Sequence, residues 1–146
     1  MSLIFSRQCD YALQAVLYLA LRPAGEMTAI RELAAKLEIP YHFLGKILQD
    51  LTRKGLLQSL KGPKGGFRLA VPPRKITLFH IVEAVDGVEF TRSCVLGFKE
   101  CSGRNPCAVH DIWAALREGI TIMLRKRNIG ELARTMERTK YKALGR

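Results

Sequence analysis

The chain has 146 residues, 48% of them apolar, and a net charge of +11. That length suits one domain, or a small domain with an appended dimerisation element, and the apolar content excludes wholesale disorder. The positive excess points to an anionic partner, nucleic acid ahead of membrane, and no stretch reaches the length of a membrane span.

Residues 7–22 place Tyr11, Ala12, Ala15, Val16, Leu19 and Ala20 at spacings of three and four, the pattern of an amphipathic helix, which Pro23 and Gly25 end. Ala12–Leu21 is apolar enough to resemble the core of an export signal. Arg7, Asp10 and Gln14 interrupt it, helical periodicity explains it better, and a cytoplasmic protein is expected. Thr28 is placed to cap a second helix over Ala29–Leu37, with Ile30, Leu33, Ala34 and Leu37 on its buried face. After Ile39-Pro40 a third helix is expected from about Tyr41 to Lys54, burying Phe43 or Leu44, then Ile47, Leu48 and Leu51. Its other face carries His42, Gly45, Lys46, Gln49 and Arg53. Two short helices at a sharp junction, the second with a polar outer face, make a helix-turn-helix pattern.

Leu56–Leu60, the turn Lys61–Gly66 and Phe67–Val71 then read as strand, Gly-rich turn, strand. A basic hairpin directly after a recognition-type helix is a wing, and Pro72-Pro73 closes the module. Residues 51–75 hold seven basic side chains, Arg53, Lys54, Lys61, Lys64, Arg68, Arg74 and Lys75, and no acidic one. A run of that kind beside a Gly-rich turn favours phosphate contact over a merely solvated face.

Thr77 is expected to cap a short helix through Val85, ended by Asp86-Gly87. Pro106 sits where a long helix from Cys107 to about Arg127 would start, since its missing N–H costs nothing there. Along that helix Val109, Trp113, Leu116, Ile120 and Met123 step by four, three, four and three, a stripe suited to a partner helix from a second chain. Asn128 and Glu131 open a final helix in the manner of a capping box, and Arg138–Arg146 is a basic tail. The expected fold is therefore mainly α with a small β-hairpin wing. A winged helix-turn-helix covers residues 1–75, and a sensor loop with dimerisation helices covers 76–146.

The loop before the long helix reads Cys94-x6-Cys101-x5-Cys107-x2-His110 and contains Gly97, Gly103 and Pro106. Thiolates are soft ligands, and three in one turn-forming loop can converge on a metal centre. At the expected helix start, unpaired N–H groups would favour a Cys107 thiolate, and His110 lies one turn on along the same face. The spacings are unlike both the paired knuckles of structural zinc sites and the ferredoxin runs, so they leave the type of centre open. Cys9, at the start of an apolar helix, is expected to be a small core residue, with Asp10 a first-turn carboxylate.

With these landmarks the chain resembles the IscR/NsrR family of winged-helix transcription regulators. The resemblance is carried by Asp10-Tyr11-Ala12-Leu13, by Lys54-Gly55-Leu56-Leu57 and by Gly62-Pro63-Lys64-Gly65-Gly66-Phe67-Arg68-Leu69, with the three-cysteine loop completing it. It implies a homodimer joined by its long helices and an iron–sulfur cluster that controls promoter binding. By position it makes Cys94, Cys101 and Cys107 cluster ligands. His110 matches the histidine that completes a two-iron cluster in some members, and Asp10 the carboxylate that others supply from the partner subunit to a four-iron cluster. The two-iron form is favoured because His110 is local to Cys107. Lys61 stands where many members carry a wing-tip arginine, and Gly45 where some carry a larger, base-discriminating side chain.

The expected activity is cluster-controlled binding of a double-stranded, pseudo-palindromic operator. The helix from about Tyr41 to Lys54, with Arg53 on its outer face, would enter the major groove, with His42, Lys46 and Gln49 near base edges, while Lys61, Lys64 and Arg68 would meet the backbone or minor groove. The alternatives are a thiol switch or zinc-containing regulator of the same fold, and a docking module of an enzyme complex. Catalysis is not expected, since there is no Ser/His/Asp or Cys/His/Asn arrangement and no phosphate loop. Neither a membrane nor a small-molecule substrate is expected as partner.

Overall fold

The computed structural model describes residues 4–99, 103–104 and 106–138; Cys101 and the basic tail beyond Arg138 lie outside the described residues. Among the described residues six helices and one hairpin follow each other in the order α1 (Arg7–Leu21), α2 (Ile30–Leu37), α3 (Tyr41–Arg53), β1 (Leu57–Leu60), β2 (Gly66–Leu69), α4 (Leu78–Val85), α5 (His110–Lys126) and α6 (Ile129–Arg138). Short 3-10 turns at Pro73–Lys75 and Glu89–Thr91 flank α4.

Ser6 starts α1 by accepting the Cys9 N–H at 3.1 Å. The same serine donates its own N–H to Asp86 at 2.9 Å and its hydroxyl to the other oxygen of that carboxylate, so the beginning of α1 is clasped to the end of α4. Cys9, Ala12, Ala15, Val16 and Leu19 form the buried face of α1, as their spacing predicts.

Thr28 does not cap α2. Ala29 occupies the cap position without a side-chain bond. Thr28 instead pairs with Phe67 in an antiparallel bridge, each N–H meeting the other's carbonyl at 2.9 Å. This sews the wing to the α1–α2 connection. It also leaves the fully buried Thr28 hydroxyl without a partner among the described residues. Gly66 makes the approach possible: at φ +147 a Cβ there would stand 2.2 Å from the Thr28 carbonyl oxygen. The hairpin register sets Gln58 opposite Arg68 and Ser59 opposite Phe67.

On α3, Leu44, Ile47, Leu48 and Leu51 are buried. Phe43 stays more than a third exposed and lies edge-on against Tyr11, with ring centroids 5.6 Å apart. Gly45 is turned toward α2, where an added Cβ would come within 3.2 Å of Ile30 Cδ1. Its smallness therefore serves the helix-turn-helix contact.

The core does not stop at residue 75. Ile76, Ile81 of α4 and Ile129 of α6 are fully buried in one cluster with Val16, Leu33, Leu44, Leu48 and Leu51. A second cluster joins Cys9, Phe79, Val82 and Leu124, so α4 packs on both sides, toward the winged helix and toward α5. Thr77 caps α4 as expected. His80 completes the box, its Nδ1 accepting the Thr77 N–H at 3.0 Å.

α5 begins later than Pro106 suggests. Cys107 to His110 form a turn in which the His110 N–H reaches the Cys107 carbonyl at 3.1 Å, and Val109 is the N-cap with non-helical backbone. Cys107 thus precedes the helix, and the dipole argument for its thiolate does not hold. The apolar stripe of α5 divides as well. Trp113 and Ile120 are half-buried against their own chain and Leu124 is buried, whereas Ile112, Leu116 and Met123 face outward, Leu116 at 58% exposure. Heptad spacing marks apolar positions but not which of two adjoining faces the chain itself covers.

Candidate functional site

Two groups of residues carry chemistry: a basic surface made by α3 and the wing, and the cysteine loop between α4 and α5.

The buried leucines of α3 turn Tyr41, His42, Lys46, Gln49 and Arg53 outward. Tyr41 and His42 meet edge-to-face at 5.5 Å, and Arg53 forms an ion pair with Asp50 one turn back. At the wing tip Lys61 and Lys64 are exposed on a turn closed by the Gly65 N–H to Gly62 carbonyl bond of 2.9 Å. Gly65 must be small, since a Cβ would fall 2.0 Å from the Leu60 carbonyl oxygen. Arg68 behaves differently from the lysines. It is half-buried, donating Nε to Gln58 at 2.9 Å and Nη1 to the Gly25 carbonyl at 3.0 Å. The first bond ties the two strands of the wing together and the second braces the wing against the α1–α2 turn. Gln58 and Thr28 are supports that reading for charge passes over. The alternation of the hairpin, which puts residues 58 and 68 opposite each other, is the signal for the first; the second has none, because it depends on a contact 39 residues away.

In the loop, Cys94 is only 8% exposed. Burial pushes its thiol up, but N–H groups of Phe98, Leu96 and Gly97 and the Cys107 thiol all hydrogen-bond to its sulfur and together bring its pKa below the ordinary value. Gly97, at φ +84, allows the chain to curl back so that these amides converge. Cys107 is half-buried beside it. Val95, Leu96 and Phe98 project outward from the same loop. His110 is the first residue of α5 and Asp10 stands in the first turn of α1. Among the described residues, no three of the His, Cys, Asp and Glu side chains are grouped closely enough to hold a metal ion. The structure thus brings Cys94 and Cys107 together, while Cys101, the thiol between them in sequence, falls outside the described residues. Cys9 is different in kind: burial, with Asp86 and Asp10 adding to it, pushes its thiol up to about 12. As expected, it is a core residue.

The sequence model of the Rrf2 family, described as iron-dependent transcriptional regulators, matches residues 5–135. An HTH-type transcriptional regulator of Aquifex aeolicus is 36% identical over 138 residues, 93% of this chain and 95% of that one. The HTH-type transcriptional regulator NsrR of Halalkalibacterium halodurans is 32% identical over 124 residues, 80% of this chain and 78% of the relative. Among solved structures, CymR, the global cysteine regulator of B. subtilis, superposes with a TM-score of 0.79 at 22% identity, covering 92% of this chain and 98% of CymR. These relatives are regulators and not enzymes, and the hairpin after α3 is their wing. A DNA-binding transcriptional regulator with a mainly helical winged helix-turn-helix, this chain belongs to the Rrf2 family.

Proposed function

We propose that the chain is a cytoplasmic, homodimeric regulator whose operator binding is set by an iron–sulfur cluster in the cysteine loop. The observation that carries this reading is the buried Cys94 sulfur, which hydrogen-bonds to the Cys107 thiol and to backbone N–H groups of its own loop. Donors aimed at sulfur favour the thiolate and suit a negatively charged centre, and a thiolate is the soft ligand that iron–sulfur chemistry needs. The residues present therefore fit the group. Cys94, Cys101 and Cys107 would hold it, with His110 as the fourth ligand of a two-iron form or Asp10 of the partner subunit for a four-iron form. When bound, the cluster supplies a centre that responds to oxidation, to nitric oxide or to scarcity of iron.

The chain's own residues do the rest. Residues 76–146 would serve as sensor and dimer arm, and the winged module up to residue 75 as DNA reader. The outward row Ile112, Leu116 and Met123 would be covered by the same row of a second copy. The dimer would then present two α3 helices to a pseudo-palindromic duplex, with His42, Lys46 and Gln49 toward base edges and Lys61 and Lys64 on phosphates. Anaerobic purification with iron and sulfide analysis and a visible spectrum tests the cluster. We expect iron, sulfide and a coloured protein; a colourless protein without iron after reconstitution would overturn the reading.

The hydrogen bond between Cys94 and Cys107 favours a second reading, a thiol switch. Peroxide would take two electrons and two protons from the pair, leaving a disulfide and water. Mass spectrometry of alkylated protein after peroxide separates the two readings, since only the switch yields a defined Cys94–Cys107 linkage in protein that takes up no iron.

A further inference from the structure

We propose that Trp113 and Arg117 are positioning residues, the joint through which the state of Cys94 reaches α5; the inference rests on the reading of the cysteine loop given above. Trp113 Nε1 donates to the Ser93 carbonyl at 2.7 Å, and Arg117 Nη1 donates to the same oxygen at 3.3 Å. Four residues apart, they stand one above the other on a single face of α5. The carbonyl they hold belongs to the Ser93–Cys94 peptide, whose planarity ties that oxygen rigidly to the Cys94 Cα. Two donors from α5 therefore hold the peptide unit that carries the first thiol of the loop.

The surroundings leave this unit little freedom except through α5. Ser93 Oγ donates to the Glu89 carbonyl at 2.5 Å, fixing the chain on its N-terminal side. On the other side the Gly97 N–H returns to the Cys94 carbonyl at 3.0 Å, and the amides of residues 96–98 hold the sulfur. A displacement of the Cys94 sulfur must break that nest or turn the peptide plane that Trp113 and Arg117 hold. Neither side chain lies on the outward row Ile112, Leu116 and Met123, and both are half-buried toward their own chain. One face of α5 thus reads the thiol loop while the other remains available for a second copy. Neither Trp113 nor Arg117 offers a ligand atom for the loop centre, so their part is to position and transmit.

The test requires no cluster. In the full-length apo protein carrying Cys9→Ala, Cys101→Ser and Cys107→Ser, Cys94 is the sole thiol and can be tagged with methyl methanethiosulfonate. Tagging is expected to change hydrogen exchange of the amides over residues 113–120 about five-fold, the effect of losing one hydrogen bond. Emission from Trp113, the single tryptophan of the chain, should shift with it. In Trp113→Phe or Arg117→Ala the response of α5 should fall below about two-fold at equal tagging, and Arg117→Lys, which keeps a cationic donor, should restore part of it. Should Trp113→Phe fail to fold, the two Arg117 variants decide. An α5 that ignores the tag, or responds equally in all variants, overturns the joint. Protein that takes up no iron sinks the cluster reading and leaves this result standing on its own.

Discussion

The helices of the winged module and the described residues between Val95 and Met123 place many of their apolar side chains differently. In the first, Leu33, Leu44, Leu48 and Leu51 are fully buried, and Thr28 and Arg68 tie the hairpin to the helices beneath it. In the second, Val95, Leu96, Phe98, Ile112, Leu116 and Met123 face outward, Phe98 at 64% exposure, around a thiol that is itself enclosed. The winged helix is thus closed within one chain. The stretch from Val95 to Met123 keeps apolar side chains exposed among its described residues, the property expected of a surface that another molecule covers.

Truncating one leucine in each half tests that contrast most directly. Leu48→Ala should cost about 2–5 kcal/mol in chemical denaturation, because the transfer loss and the cavity add. Leu116→Ala should stay within about 0.5 kcal/mol at protein concentrations where the chain is monomeric, and should weaken self-association measured by sedimentation. Equal losses at the two sites would erase the distinction. Within the winged half, Thr28→Val keeps the β-branched shape of the bridge and removes a buried hydroxyl without a partner among the described residues. It should raise stability by about 1 kcal/mol, whereas a loss would mean that the hydroxyl is satisfied in solution.

The wing itself contains a smaller version of the same contrast, between side chains used inside the chain and side chains left for a partner. Lys64→Ala should leave the denaturation midpoint unchanged and lower the salt slope of operator binding by about 1, the signature of a phosphate contact. Arg68→Ala, which gives up bonds to Gln58 and to the Gly25 carbonyl, should lower the stability of the free protein by about 1 kcal/mol as well as weaken binding. Gel shifts at several salt concentrations, paired with denaturation curves, separate the two.

What was legible in the sequence follows the same division. The helices of the winged half, the hairpin and the Thr77 cap are determined by near neighbours, through the three-and-four spacing of apolar residues and through Gly and Pro at the turns. Thr28 escaped because its pairing with Phe67 lies far along the chain, and a local cap rule has no access to it. The start of α5 was misplaced for a related reason. Pro106 satisfies the helix-start rule, yet the Cys107–His110 turn comes first, in a segment where Cys107 also meets Cys94. Gly45 also faces Ile30 on the preceding helix, which a Cβ would approach to 3.2 Å, a contact that spacing along α3 does not reveal. The thiols of the cysteine loop stand out from residue types alone. The amides that hold Cys94 do not, since backbone donors leave no mark in a sequence except for Gly97.

Cys9 lies where the two halves meet, between α1, α4 and α5. Burial raises its thiol from the ordinary 9.0 to about 12, with Asp86 and Asp10 reinforcing the shift, so the folded state prefers the neutral form. A group with a raised folded pKa contributes stability that is complete below the unfolded value and is lost as pH climbs toward the folded one. Wild-type stability should therefore decline between about pH 9 and pH 12 through this group, in addition to any loss from other residues. Cys9→Ala should cost about 1 kcal/mol at neutral pH, where only a small buried sulfur is removed, and should flatten the alkaline limb. Cys94 has the opposite sign: hydrogen bonds to its sulfur lower its pKa, so its contribution is already complete above the ordinary value of 9.0 and Cys94→Ala should leave the alkaline limb in place. Denaturation midpoints of the two variants across that pH range distinguish a thiol whose pKa burial raises from one whose pKa hydrogen bonds lower.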